Sequence, residues 1–278
     1  MYYNTVSKEE QRKMAVSNIT VILILNILTL IFTAIMAIAG VGAAFIIIPL
    51  IYYSGYDFLM ATTIGLLLNT VSTGSASIRH AKNRYINYKI ALPLIITSII
   101  TTPLGAVISD TIPRATLRII FAIFLLLVGT NILINAITKE SPKKTEKQKQ
   151  KQQNSTQRII TSLFVGGLVG FIAGMLGIGG GSLILPFFLY YGIDTKEAAG
   201  TTSFIVVFSS FIGFISKISL TNVKIDWTLA ITLVVTSIIA ANIGSYLMHY
   251  KLKKHQIKLT MAIMLLLVSI KILIDTIF

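Results

Sequence analysis

Apolar residues run along this chain in long uninterrupted blocks, not in the alternating or helical periodicities of water-soluble elements. Uncharged or nearly uncharged runs fall at about 14–56, 58–78, 90–109, 115–138, 159–193, 198–216, 228–248 and 259–278. A helix that crosses a bilayer needs about 20 mostly apolar residues, so a simple count predicts eight spans. Nothing between the runs is long enough to be a soluble domain. The pattern predicts an all-α polytopic membrane protein. The polar stretch before residue 14 carries Lys8, Glu9, Glu10, Arg12 and Lys13. The run after it is too long for a signal-peptide core and shows no small-residue cleavage site, so it is read as the first membrane element.

Two of the runs are too long for one helix. Residues 19–53 would extend for roughly 52 Å as a single helix at 1.5 Å per residue. Gly40-Val41-Gly42 lies inside this run, with Pro49 after it. Residues 159–191 contain Gly177-Ile178-Gly179-Gly180-Gly181-Ser182, followed by Pro186. Glycine costs a helix about 1 kcal/mol relative to alanine, so each cluster predicts helix, break, short helix. The competing reading is a pair of glycine-mediated contacts within continuous helices.

The two breaks are copies of one pattern. The segment from Ala39 to Pro49 aligns with Leu176 to Pro186 at an offset of 137, and the match continues through Tyr53-Ser54-Gly55-Tyr56-Asp57 and Tyr190-Tyr191-Gly192-Ile193-Asp194. After a slip of two residues, Ile86-Asn87-Tyr88 meets Ile225-Asp226-Trp227 and Gly105 meets Gly244. The chain therefore divides into a first membrane repeat at 14–138, a basic linker at 139–158 and a second membrane repeat at 159–278. The linker, rich in Lys and Gln, reads as a solvated segment.

Composition sharpens the picture through the placement of charge. The chain carries 24 basic and 10 acidic residues, a formal net charge of +14, which alone would suggest a nucleic-acid partner. Three short segments hold nearly all of it: +4 in 79–89, +5 in 139–158 and +4 in 251–258, thirteen of the fourteen net charges. Basic residues concentrate on cytoplasmic loops of membrane proteins. If each half crossed four times, the halves would be parallel and the 251–258 segment would lie outside with its four lysines. If each broken run counts as two crossings, the halves are inverted, and with the N-terminus outside all three basic segments are cytoplasmic. The charge thus favours 5+5 membrane segments over eight parallel spans, with 43–55 and 181–191 as short segments that reach the midplane or thin the bilayer. No nucleic-acid partner is needed. Cysteine is absent, which excludes disulfide scaffolds, thiol enzymes and Cys-ligated metals.

Inverted repeats with paired broken helices are a transporter design with the substrate near the midplane. A broken helix frees N–H and C=O groups in a medium without water, so they must line a cavity or meet a ligand. A helix N-terminus offers free N–H donors and about half a positive charge, which suits an anion. Gly179, Gly180, Gly181 and Ser182 stand at the expected start of the second short helix, and Gly40, Gly42 and Ala43 are their first-half counterparts. Thr62 and Thr63 follow the first short helix; Thr201, Thr202 and Ser203 follow the second. Such hydroxyls line a pocket or bond back to their own helix. Asn69 and Asn242 are also at membrane depth. His80 and Lys217 are equivalent under the 137 offset, and either attracts an anion or snorkels to the interface. Intramembrane Asp and Glu are absent, there is no Gly-x-x-x-x-Gly-Lys-Ser/Thr motif, and no catalytic triad or metal constellation stands out. The expectation is a secondary or passive transporter, not an enzyme, without cofactor or metal.

The segment from Gly170 to Pro186, Gly-Phe-Ile-Ala-Gly-Met-Leu-Gly-Ile-Gly-Gly-Gly-Ser-Leu-Ile-Leu-Pro, followed by Ala198-Ala199-Gly200-Thr201-Thr202-Ser203, resembles the sulfite exporter TauE/SafE family of membrane transporters. The weaker copy around Gly40-Val41-Gly42-Ala43-Ala44 and Ala61-Thr62-Thr63-Ile64-Gly65 is similar to the same pattern, and His80 stands where these proteins often carry a histidine. The first half departs from the glycine-rich form, with Ala43-Ala44 in place of Gly-Gly. The resemblance implies a multi-pass cell (plasma) membrane transporter that exports sulfite, sulfonates or related sulfur-containing anions by alternating access. Its partners would be the lipid bilayer and a small anionic substrate, with homo-oligomerisation left open. Competing readings are a transporter of a cation or neutral solute and a membrane scaffold without flux.

Overall fold

The computed structural model describes residues 8–39, 44–137, 155–190, 193–247 and 254–277. These form helices only: α1 (Lys8–Ala39), α2 (Ala44–Tyr53), α3 (Phe58–Lys82), α4 (Tyr88–Thr111) and α5 (Arg114–Ile137), then α6 (Ser155–Leu176), α7 (Gly181–Tyr190), α8 (Thr195–Leu220), α9 (Trp227–Leu247) and α10 (Lys254–Ile277). Among the described residues α3, α4, α5, α8 and α9 are long and apolar enough to cross a bilayer, and shorter apolar helices cover 19–35, 44–53 and 161–176. The second long apolar run is interrupted, with one helix ending at Leu176 and the next starting at Gly181; in the first, the described helices end at Ala39 and resume at Ala44. Gly40, Gly42 and Ala43 lie outside the described residues, as does most of the linker.

Helix starts explain several of the residues that match between the halves. The Asp57 carboxylate accepts from Leu59 N at 2.8 Å and Met60 N at 3.3 Å, and the Asp194 carboxylate accepts from Lys196 N at 2.9 Å. Asn87 Oδ1 accepts from Ile90 N at 3.4 Å, and Asp226 Oδ1 accepts from Thr228 N at 3.0 Å and Leu229 N at 3.1 Å. Short oxygen-bearing side chains satisfy the N–H groups that a helix start leaves unpaired. The pairs Asp57/Asp194 and Asn87/Asp226 are therefore N-caps of α3 and α8, and of α4 and α9.

The turns gather at two ends. At one, Arg114 lies 3.2 Å from Asp110 and 3.7 Å from Asp57, and Asn222 N donates to Asp110 at 3.3 Å. At the other, the Arg79 guanidinium donates to Asn242 Oδ1 at 3.0 Å, Asn87 N to Thr201 Oγ1 at 2.9 Å, and Asn87 Nδ2 to Glu197 at 2.7 Å. The first end collects carboxylates around one arginine; the second carries Arg79, Lys82, Arg84 and Lys89. The start of α3 and the end of α8 share the first end, so these two helices are antiparallel. α4 runs toward that end and α9 away from it.

Glycine decides which helices touch closely. A methyl group at Gly166, Gly170 or Gly174 of α6 would come within 2.7 Å of Leu94 Cα, 2.5 Å of Ser98 Cα and 2.1 Å of the Thr102 carbonyl on α4. Thr101 Oγ1 ties the seam by donating to Gly167 O at 2.7 Å. Without a hydrophobic drive between helices in lipid, close approach at small residues and interhelical hydrogen bonds hold such pairs. α1 packs on α9 in the same manner. A methyl at Gly244 would lie 2.2 Å from the Ala34 carbonyl, as one at Gly105 would lie 2.0 Å from the Phe171 carbonyl, and Asn26 Nδ2 donates to Thr232 Oγ1 at 3.2 Å. Ala34 and Phe171 each stand five residues before the end of their helix. The lipid-facing surface is apolar: Phe164, Leu127 and Leu267 are more than 60% exposed.

Candidate functional site

The second break is built by glycines in conformations that other residues avoid. Gly179 and Gly180 have φ of +69° and +72°, a region that a side chain disfavours by steric clash. Space excludes a side chain as well. A methyl at Gly179 would sit 2.4 Å from Ser210 Oγ and 2.7 Å from Asn69 Nδ2, and one at Gly180 would sit 2.3 Å from Val169 Cγ1. The backbone of the break thus lies directly against α3 and α8, and Ser209 Oγ donates to Gly179 O at 3.1 Å.

The break is deep. Asn69 stands eleven residues after the first residue of α3 and thirteen before its last, so Gly179 meets the middle of a membrane-crossing helix. From there α7 runs for ten residues, roughly 15 Å, and ends shortly before the Asp194 cap of α8. It is a half-helix whose N-terminus opens at membrane depth. Among the described residues no side chain caps that N-terminus, in contrast to α3, α4, α8 and α9.

Around it lie buried polar atoms with no partner: Asn69 Nδ2 and Oδ1, Ser182 Oγ, Thr202 Oγ1 and Ser210 Oγ. These four residues are all at least nine-tenths buried. Other unpartnered hydroxyls, on Thr29, Thr33, Ser237 and Ser269, belong to other helices. An unsatisfied buried polar group costs about 1–3 kcal/mol, so this cluster at one helix start is the candidate site. The chemistry on offer is neutral: three hydroxyls that can donate or accept, and one side-chain amide with a donating and an accepting end. Among the described residues no group of His, Asp and Glu side chains could hold a metal ion.

The remaining expected site residues separate into three groups, with His80 apart from all of them. Gly179, Gly180, Gly181, Ser182 and Thr202 come together at the break. A methyl at Gly181 would touch the Thr202 methyl at 3.6 Å and Val206 at 3.2 Å. Thr63 and Ser203 bond back to their own helices, to Leu59 O at 2.7 Å and Ala199 O at 2.9 Å, and Thr201 holds Asn87. Lys217 and Thr62 form the third group. Lys217 is fully buried, not snorkelling, and its ammonium donates to Thr62 Oγ1 at 2.7 Å and to the Met175 carbonyl at 3.4 Å. No carboxylate lies within salt-bridge distance of it among the described residues. Lys217 is seven residues beyond Ser210 on α8, roughly 10 Å toward the carboxylate-bearing end. His80 is far from it: eighteen residues of α3, roughly 27 Å, separate His80 from Thr62. It is half-buried at the basic end, its ring 6.4 Å from that of Tyr85.

The first half is different. α2 is enclosed by apolar side chains. Ala44, Phe45, Ile46, Ile47, Ile48 and Ile51 are all buried and belong to one core with Phe58, Phe121 and Leu125. Phe58 meets Phe121 edge-on at 5.3 Å.

Sequence reading did not place Asn69, Ser209 or Ser210 in the site. A signal for the serines was present: at the 137 offset, Ser209-Ser210 falls on Ser72-Thr73, a polar pair duplicated in the middle of two apolar runs.

Comparison with known proteins fits this geometry. The family model described as "Sulfite exporter TauE/SafE" matches residues 25–272. The chain is 25% identical over 271 residues to the "Probable membrane transporter protein YunE" of Bacillus subtilis (strain 168), covering 92% of this chain and 98% of that protein. A protein of Methanocaldococcus jannaschii, likewise named a probable membrane transporter, is 23% identical over 189 residues, 65% of this chain and 66% of its own length. No solved structure matches the chain.

Proposed function

This chain belongs to the sulfite exporter TauE/SafE family of membrane transporters, and from that premise we propose that it is a secondary exporter of small sulfur-containing anions, sulfite or sulfonates, in the cell membrane. The observation that carries the reading is the uncapped N-terminus of α7 at membrane depth, surrounded by unpartnered Asn69, Ser182, Thr202 and Ser210. Free N–H groups and the positive end of a helix dipole suit an oxyanion. Gly179 brings the backbone of the break within reach of Asn69 and Ser210. Lys217, buried between this site and the carboxylate-bearing end, adds positive potential along the path, with no carboxylate within salt-bridge distance of it among the described residues. A cation would find no group of carboxylates there among the described residues, and a buried ammonium beside the route.

The two halves act in this reading as inverted repeats that rock about the α3–α8 contact and expose the site alternately. Support comes from the equivalent caps, from the equivalent approaches of Gly105 to Phe171 and Gly244 to Ala34, and from the opposite directions of α3 and α8. By the positive-inside rule the basic end is cytoplasmic. The Cys-free background makes this easy to check. A cysteine in place of Asn83 should label from the cytoplasm and one in place of Asn222 from outside; the reverse would invert the assignment.

The functional test is flux of sulfite and short alkylsulfonates from proteoliposomes that contain the purified protein. Flux above that of empty liposomes, abolished by Gly180→Leu, is the expected result. No flux of any of these anions, or flux that Gly180→Leu leaves unchanged, would remove the reading.

A further inference from the structure

We propose that the ligand of this chamber carries a hydrogen-bond donor in addition to its anionic oxygens, and that Asn69 reads that donor. The inference rests on the anion reading above and narrows it to a class: singly charged sulfur oxyanions with an O–H or N–H group next to the charged head.

The argument starts from the Asn69 side chain. An amide has one end that donates and one that accepts, whichever way round it is built. Both ends of Asn69 are buried and unpartnered. An acceptor-only anion satisfies the NH2 end, the hydroxyls of Ser182, Thr202 and Ser210, and the free N–H groups of α7. It leaves the Asn69 carbonyl with nothing. A hydroxyl that turned to the carbonyl would be lost to the anion, because each hydroxyl has one proton to give. Backbone N–H groups at the start of α7 are held by the helix and cannot turn. A donor on the ligand removes the conflict, since the anionic oxygens take the N–H and hydroxyl donors while the O–H or N–H meets the carbonyl. The amide is also particular to one half. At the 137 offset the residue equivalent to Asn69 is Val206, which packs in the apolar cluster with Ile184, Phe188 and Ile205. The site therefore has one side-chain carbonyl for a donor, not two.

Two ligands of the same charge and nearly the same size separate the possibilities: hydroxymethanesulfonate, with a donor, and ethanesulfonate, with a methyl in its place. Their dissociation constants are measured on the purified full-length protein in detergent. Hydroxymethanesulfonate should bind at least about tenfold more tightly, the penalty expected for a buried polar group left unpaired. In Asn69→Leu, checked for folding by its elution profile and Tm, the ratio should fall to about one through loss of hydroxymethanesulfonate affinity. Asn69→Ala serves if the leucine variant does not fold, and the wild-type ratio is decisive without either. Equal binding of the two ligands overturns this inference and leaves the anion reading standing. A tenfold ratio that survives in Asn69→Leu also overturns it, because the donor would then be read elsewhere. Binding of neither ligand removes the anion reading and this inference with it.

Discussion

Two short helices, α2 and α7, start at matching places in the sequence and are surrounded by different chemistry. Among the described residues α2 is enclosed by aromatic and β-branched side chains. α7 starts among Asn69, Ser182, Thr202, Ser209 and Ser210, with glycines that admit no side chain. On the proposal above, the two matching sequence patterns differ in role through the side chains that face them: α2 serves packing and α7 serves the ligand.

The contrast can be broken or sharpened by substitution. The largest effect is expected at Gly179. A leucine there would need a positive φ and would drive into Ser210 and Asn69, so transport in proteoliposomes should fall more than about a hundredfold. Ala44→Gly at the start of α2 should change transport less than about twofold, since glycine near a helix end costs only about 0.5–1 kcal/mol. Stability should respond in the opposite sense. Phe45→Ala empties part of the core around α2 and should cost about 3–5 kcal/mol in unfolding measurements. Ser210→Ala removes an unpartnered hydroxyl and should stay within about 1 kcal/mol of wild type. A smaller effect is expected at Lys217. Replacing a buried ammonium that only neutral oxygens contact, as in Lys217→Met, should leave Tm unchanged or raise it, while the substrate affinity falls about tenfold. A Tm drop of several degrees with unchanged affinity would make Lys217 a structural residue.

Much of this was legible in the sequence, because it is carried by local signals. The glycine clusters predict both interruptions, the loop charges predict two distinct ends, and the matches Asp57/Asp194 and Asn87/Asp226 prove to be helix caps. The polar site was legible only on its α7 side. Asn69 is 110 residues from Gly179 in the chain, and nothing local to Leu68-Asn69-Thr70 says that a broken helix will face it. The hydroxyls read as one set behave differently for the same reason. Thr63 and Ser203 turn back on their own helices, Thr201 holds a loop, Thr62 packs against Gly177 and accepts from Lys217, and Thr202 faces Gly181. Lys217 near the end of an apolar run looks equally suited to snorkelling until α3 and α6 close over it. The seam of Gly166, Gly170 and Gly174 was visible as spacing, but its partner α4 follows only from the packing.

The most direct test of the central claim compares the two half-helix starts in the natural cysteine-free background, with Ser182→Cys and Ala44→Cys each made alone. Their reaction rates with a small water-soluble maleimide are measured with and without saturating hydroxymethanesulfonate. The account predicts that the Ser182→Cys thiol reacts, that the ligand slows it at least about fivefold, and that the Ala44→Cys thiol stays unreactive under both conditions. Equal reactivity at the two positions, or a rate at position 182 that ligand does not change, would contradict it.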